Sequence, residues 1–162
     1  MDIRKDLARV ALQEEKLRFN SFDATSAWKL GVALKEASDK RGVGVALDIS
    51  TASYTLFSHA MAGATPDNSE WIRRKRNVTL RFHRSSYAIG LELTRDKTTL
   101  EQRHGLKAAD YMAHGGSFPL RIGATCVGAI TVSGLPQRDD HDLLTRTLAV
   151  FLGLKVEDLA LD

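Results

Sequence analysis

The stretch from His114 to Leu144, HGGSFPLRIGATCVGAITVSGLPQRDDHDLL, decides the fold. Its "SFPLRI" and "CVGAITVSG" runs read as strands meeting at a turn on Gly123 and Ala124. After Ser133-Gly134-Leu135-Pro136 the pattern becomes helical, with Leu144, Leu148 and Phe151 on one side. A hairpin feeding a helix therefore closes the chain. The acidic residues Asp139, Asp140 and Asp142 suit the first turn of that helix, where negative charge meets the positive end of the helix dipole.

Outward from this core, "VGVALDIS" sets Val43, Val45, Leu47 and Ile49 on one face by alternation. "YTLFSHAM" follows it as the second arm of another hairpin. Ile3, Leu7, Val10 and Leu17 predict an amphipathic helix over residues 2 to 18. A second helix starts at an Asp23 cap, carries Ala27, Leu30, Leu34 and Ala37, and stops at Gly42. Pro66, Asp67 and Glu70 suggest a capping box opening a long helix from Asp67 to about Ile89, and "TTLEQRHG" and "AADYMAHGG" read as two shorter helices. The order is αα-ββ-α(αα)-ββ-α, an α+β class with an antiparallel sheet and helices to one side.

The 162 residues, 43% of them hydrophobic, fit a single domain spanning residues 1–162, with no linker or repeat to divide it. The lone Cys126, the lack of a signal-peptide core and the absence of an apolar run of roughly 20 residues predict a cytoplasmic protein with no membrane partner. A net charge of +3 and 7% aromatic content argue against nucleic acid as a partner.

Candidate chemistry gathers in three places. The Gly115-Gly116 pair permits close backbone approach to a ligand, but it also fits a helix C-cap and lacks the context of a phosphate loop. The five histidines lack metal-site spacing; His114 and His141 are the candidates for a haem axial ligand, set against the commoner structural role. On the long helix, Trp71, Val78, Phe82 and Ile89 share one face, opposed by Arg73, Arg74, Arg76, Arg81 and Arg84. Lys75 and Ser85 break the apolar face. A lysine there snorkels, pairs with a buried carboxylate or lines a pocket, and Ser85 beside it tips the reading to the pocket. The arginines suit a solvated or subunit-bridging face, or the carboxylates of a ligand.

The segments "TPDNSEWIRRKRNVTLRFHRSSY", "YMAHGGSFPLRI" and "VGAITVSGLPQRDDHDL", in this order and spacing, resemble the haem-degrading-domain family that includes HbpS, GlcG and the C-terminal domain of PduO. They are most similar to its intracellular branch, marked by Glu-Trp and Gly-Leu-Pro-Gln. The resemblance covers about residues 15 to 152. It implies a profilin-like domain, assembly into dimers or larger homo-oligomers, and a connection to haem as cofactor or ligand.

Together these readings predict a homo-oligomeric binding module for haem or a related carboxylate-bearing, anionic small molecule, with no reaction assigned. The expected ligand-binding residues are Lys75, Ser85, His114, Gly115, Gly116, Ser133, Gln137 and His141. An adaptor whose oligomer recruits proteins and an enzyme acting on a small metabolite remain the alternatives.

Overall fold

Residues 2–162 are described by the structure, a computed structural model. Helices α1 (Ile3–Lys16) and α2 (Ala24–Arg41) precede a hairpin of β1 (Ala46–Thr51) and β2 (Thr55–Ala60). Helices α3 (Pro66–Phe82), α4 (Ser86–Arg95) and α5 (Leu100–His104) lead to the second hairpin, β3 (Ser117–Ile122) and β4 (Thr125–Ser133), and then to α6 (Gln137–Phe151). The four strands form one antiparallel sheet in the order β2-β1-β4-β3, so the two hairpins join through β1 and β4.

Period-two alternation gives this sheet two unlike faces. Leu47 and Ile49 of β1, Ile130 and Val132 of β4, and Phe118 and Leu120 of β3 share the main core with Leu30 and Leu34 of α2 and Leu144 and Leu148 of α6. The opposite face carries Asp48, Ser50, Ser117, Thr131 and Ser133, all buried. Helix α3 covers it with Ile72, Lys75, Val78 and Thr79. Helices thus flank both faces, which corrects the one-sided arrangement expected from sequence.

The polar face is tolerable because its groups find partners. Arg76 Nη1 donates to both Asp48 carboxylate oxygens, at 3.0 and 3.1 Å, and to Ser50 Oγ. Ser117 and Thr131 hydroxyls lie 2.9 Å apart across the β3–β4 ladder. The outer edge of β3 is closed locally. Phe19 N–H donates to Arg121 O at one end, Ser117 N–H donates to Ser86 Oγ at the other, and Pro119 between them offers no N–H.

The helical signals at α2 hold: Asp23 accepts from Ser26 N–H and Gly42 takes the left-handed cap. Three other readings change. The α3 cap lies two residues earlier than the Asp67–Glu70 pair, with Thr65 as N-cap and its N–H donated to Asn68 Oδ1. The long helix to Ile89 is two helices, because His83 turns left-handed and Ser85 caps α4 by accepting from Ala88 N–H. Segment 108–112 is a turn and extended chain; its carbonyls at Ala109 and Asp110 are taken by Arg73 and Asn77 of α3, and Met112 N–H reaches Arg74 O.

The apolar face of α1 is satisfied inside the chain. Val10 packs with Tyr87, Ala88 and Leu91 of α4 and with Leu161. Beside this cluster lies His141, fully buried, its ring 4.8 Å from that of Tyr87. Gln13 Nε2 donates to Leu159 O, so Gln13 Oε1 is left to accept from His141 Nε2 at 2.8 Å. That fixes the neutral tautomer, and Nδ1 has no partner among the described residues. Burial pushes the His141 pKa down to about 3.

The depressed value makes stability fall with acid. The unfolded chain takes up this proton below about pH 6.5 and the folded chain does not until near pH 3, so stability is full above 6.5 and is lost progressively below it. His141 alone should remove about 2 kcal/mol between pH 7 and pH 5. Urea unfolding at both pH values should show a drop smaller by that amount in His141→Gln; equal drops would mean that His141 is protonated in the fold.

Candidate functional site

Where β4 ends and α6 begins, the chain leaves a pocket of about 480 Å³ against α3. Its wall includes Asn68, Trp71 and Lys75 from α3, His114 from the segment before β3, and Ser133, Gln137 and Asp140 from the β4–α6 junction.

The floor is an ion pair. Lys75 Nζ donates to Asp140 Oδ2 at 2.7 Å and more weakly to Val132 O at 3.3 Å, and both side chains are almost wholly removed from solvent. Asp140 Oδ1 accepts from Leu135 N–H at 3.0 Å, tying the carboxylate to the backbone that leads into α6. Burial pushes the Lys75 pKa down and the Asp140 pKa up; each is the other's main opposing influence. At 2.7 Å, with a further backbone partner for each, attraction holds the pair ionised.

Gly116 makes the pair fit. It has φ of +120°, and a Cβ there would lie 2.4 Å from Val132 O and 2.8 Å from Lys75 Nζ. No helix precedes it, so the C-cap reading of Gly115-Gly116 is replaced by close packing against the ion pair. Gly115 lies equally tight, with a Cβ position 2.0 Å from Gln137 O, while its N–H donates to Gln137 Oε1 at 3.2 Å.

The rim is aromatic and cationic. The His114 ring stacks on Trp71 at 5.2 Å with 27° between planes, and the Arg74 guanidinium sits 4.6 Å from the Trp71 ring centre. Trp71 Nε1 donates to Asp67 Oδ2, which fixes the indole. Neither ring nitrogen of His114 has a hydrogen-bond partner among the described residues. Partial burial, with Lys75 and Arg74 nearby, lowers its pKa, so the imidazole is neutral near pH 7 with a lone pair to offer.

The structure thus brings together Lys75, His114, Ser133 and Gln137, with Gly115 and Gly116 packed behind them. It separates two expected members. Ser85 is buried as the α4 cap, its N–H donated to Glu14 Oε1, and it belongs to no shared stripe with Lys75. His141 is enclosed in the α1–α4–α6 packing and lines no part of this pocket. The rim role of Trp71 and Arg74 went unread because it depends on His114, which is distant in sequence. The basic face is largely consumed: Arg73 binds Glu70 and Asp110, Arg76 binds Asp48, and Arg84 binds Glu14 and Glu92.

The pairing makes Lys75 costly to replace. Lys75→Met leaves Asp140 buried without its cation and should destabilise by about 3–5 kcal/mol in urea unfolding. Adding Asp140→Leu should recover more than half of that loss, since the uncompensated charge is gone. Strictly additive losses would show that the two side chains do not depend on each other.

Among the described residues no group of three or more His, Cys, Asp or Glu side chains could hold a metal ion, and no helix is long and apolar enough to cross a membrane. A family model described as haem degrading protein HbpS-like matches residues 22–149. A UPF0303 protein of Rhizobium leguminosarum bv. trifolii is 52% identical over 163 residues, covering 100% of this chain and 98% of the relative. Another, from Edwardsiella ictaluri, is 55% identical over 155 residues, covering 95% and 99%. Of solved structures, the Ybr137w protein matches with a TM-score of 0.84 at 27% identity, covering 91% of this chain and 87% of that one. The PduOC:heme complex, at 16% identity and a TM-score of 0.70, covers 84% and 98% and shares the fold. By sequence along nearly its whole length, the chain belongs to the family of HbpS-like haem degrading proteins and, within it, sits among the UPF0303 proteins.

Proposed function

We propose that this chain is a small-molecule binding module that takes haem or a related carboxylate-bearing ligand in the pocket between α3 and the start of α6. One observation carries the reading: His114, exposed at the rim, is neutral and has no hydrogen-bond partner of its own. A neutral imidazole open to solvent is the form that ligates an iron centre, whereas the enclosed His141 is out of reach.

The surroundings suit a carboxylate. Arg74 is held over the Trp71 ring, on which His114 also stacks, and a guanidinium pairs with carboxylate oxygens in a planar fork. Gln137, the first residue of α6, lines the same pocket at the positive end of that helix. When bound, haem would supply the iron; this chain would supply the imidazole and the cationic rim. A related fold has been captured with heme, as the PduOC structure states, and the family carries haem in its description.

We also read the protein as a cytoplasmic homo-oligomer. Its support is the exposed Trp28, 65% accessible and packed edge-on to Phe57, beside the outer strand β2, which has no strand partner on its far side. That surface also favours the second reading, an adaptor that recruits proteins through its assembly.

Titration of the purified protein with haem should give a saturable Soret change at one haem per chain, and His114→Ala should weaken it by at least about tenfold. A titration without saturation, or one that His114→Ala leaves unchanged, would overturn the site. Light scattering at micromolar concentration should give a mass of at least two chains, and a monomeric mass would remove the oligomer.

A further inference from the structure

We infer that the ligand site has a second, largely apolar chamber, which makes it specific for an amphipathic small molecule with an apolar ring body and an anionic head. The inference rests on the rim reading of His114 and extends it. A cavity of about 390 Å³ lies between α4, α5 and the segment leading to His114, walled by Leu93, Leu100, Leu106 and Tyr111. His114 and Gln137 line both this chamber and the polar pocket, so the two meet at those side chains.

Local packing holds the chamber in shape. Gly90 sits inside α4, where glycine weakens a helix by roughly 1 kcal/mol relative to alanine. The reason is close approach: a Cβ on Gly90 would lie 2.1 Å from Ala113 O. The segment before His114 is thereby pressed onto α4, and Leu93 and Leu100 join Val78, Ile89 and Ala113 in a separate buried cluster behind the cavity.

Three of the four hydroxyls in the lining are already engaged, and that of Tyr111 is left over. Thr94 Oγ1 donates to Gly90 O at 2.8 Å, Thr99 Oγ1 accepts from Gln102 N–H at 3.2 Å, and Thr98 Oγ1 meets Gln102 Oε1 at 3.4 Å. With these hydroxyls already engaged, the walls favour an apolar body. Glu101 at the edge of the chamber opposes an anion there. At the junction the polarity is reversed: the Gln137 amide nitrogen and the His114 ring have no hydrogen-bond partner among the described residues, and Arg74 lies nearby, while the charge of Lys75 is spent on Asp140. An anionic head therefore belongs at the junction and the ring body in the chamber.

The test uses 8-anilinonaphthalene-1-sulfonate, which has both parts, and N-phenyl-1-naphthylamine, which lacks the sulfonate. The sulfonated probe should bind saturably at one per chain, with enhanced emission. Thr94→Trp, on an exposed turn of α4, should fill the chamber and weaken both probes by at least about tenfold; Ala108→Trp on the facing segment provides an independent block. His114→Ala should weaken the sulfonated probe by about tenfold and leave the neutral one unchanged. Binding of the sulfonated probe that neither tryptophan reduces would overturn the chamber, and equal effects of His114→Ala on the two probes would overturn the joined site. Either failure alongside a His114-dependent haem titration would sink this inference and leave the binding reading standing.

Discussion

The buried ion pair of Lys75 and Asp140 is the constraint around which the rest of the structure is arranged. It ties α3, which covers the polar sheet face, to α6, which covers the apolar face, across the end of the sheet where β4 runs into α6. Two charges withdrawn from water destabilise a fold unless geometry compensates them. Here compensation takes three forms: a 2.7 Å contact, backbone partners at Val132 and Leu135, and a glycine at 116 that leaves room for the ammonium group. The pair also forms the floor of the pocket, whose wall is built from α3 and the β4–α6 junction that it joins.

The two faces of the sheet divide the work of stability and chemistry. Leucine, isoleucine and phenylalanine pack beneath α2 and α6 and supply the main apolar burial. On the other face short polar side chains lie under α3, held by Arg76 on Asp48 and by the Ser117–Thr131 contact. Groups that can meet a ligand sit where this polar face ends, next to a helix start. His141 shows the contrast: one helical residue beyond Asp140, it turns into the packing of α1 and α4 and its role is structural.

Much of the fold was legible in the sequence because its signals are local. The alternation in β1, the strand runs of β3 and β4, the Asp23 and Gly42 caps, the turn at Gly123 and the family resemblance all agree with the structure. What local signals leave out shares a cause, a partner far away in the chain. Lys75 finds its carboxylate 65 residues on, and His141 finds Gln13 128 residues back. The extended path at 108–112 is set by Arg73 and Asn77 of α3, which local propensity does not register. Ser85 was different. Its capping signal was present in "HRSSY" but was overridden by the apolar period running through it.

In the proposed site His114 and His141 play opposite roles, one open to ligand and the other locked in the core. Nitrogen NMR of ¹⁵N-histidine-labelled protein tests this contrast most directly, by following the ring resonances while 8-anilinonaphthalene-1-sulfonate is added. The His114 ring nitrogens should shift with saturation while the His141 signals, in the neutral Nε2–H tautomer, stay in place. Ring signals of His114 that do not move at saturating probe, or a His141 ring that does, would contradict it.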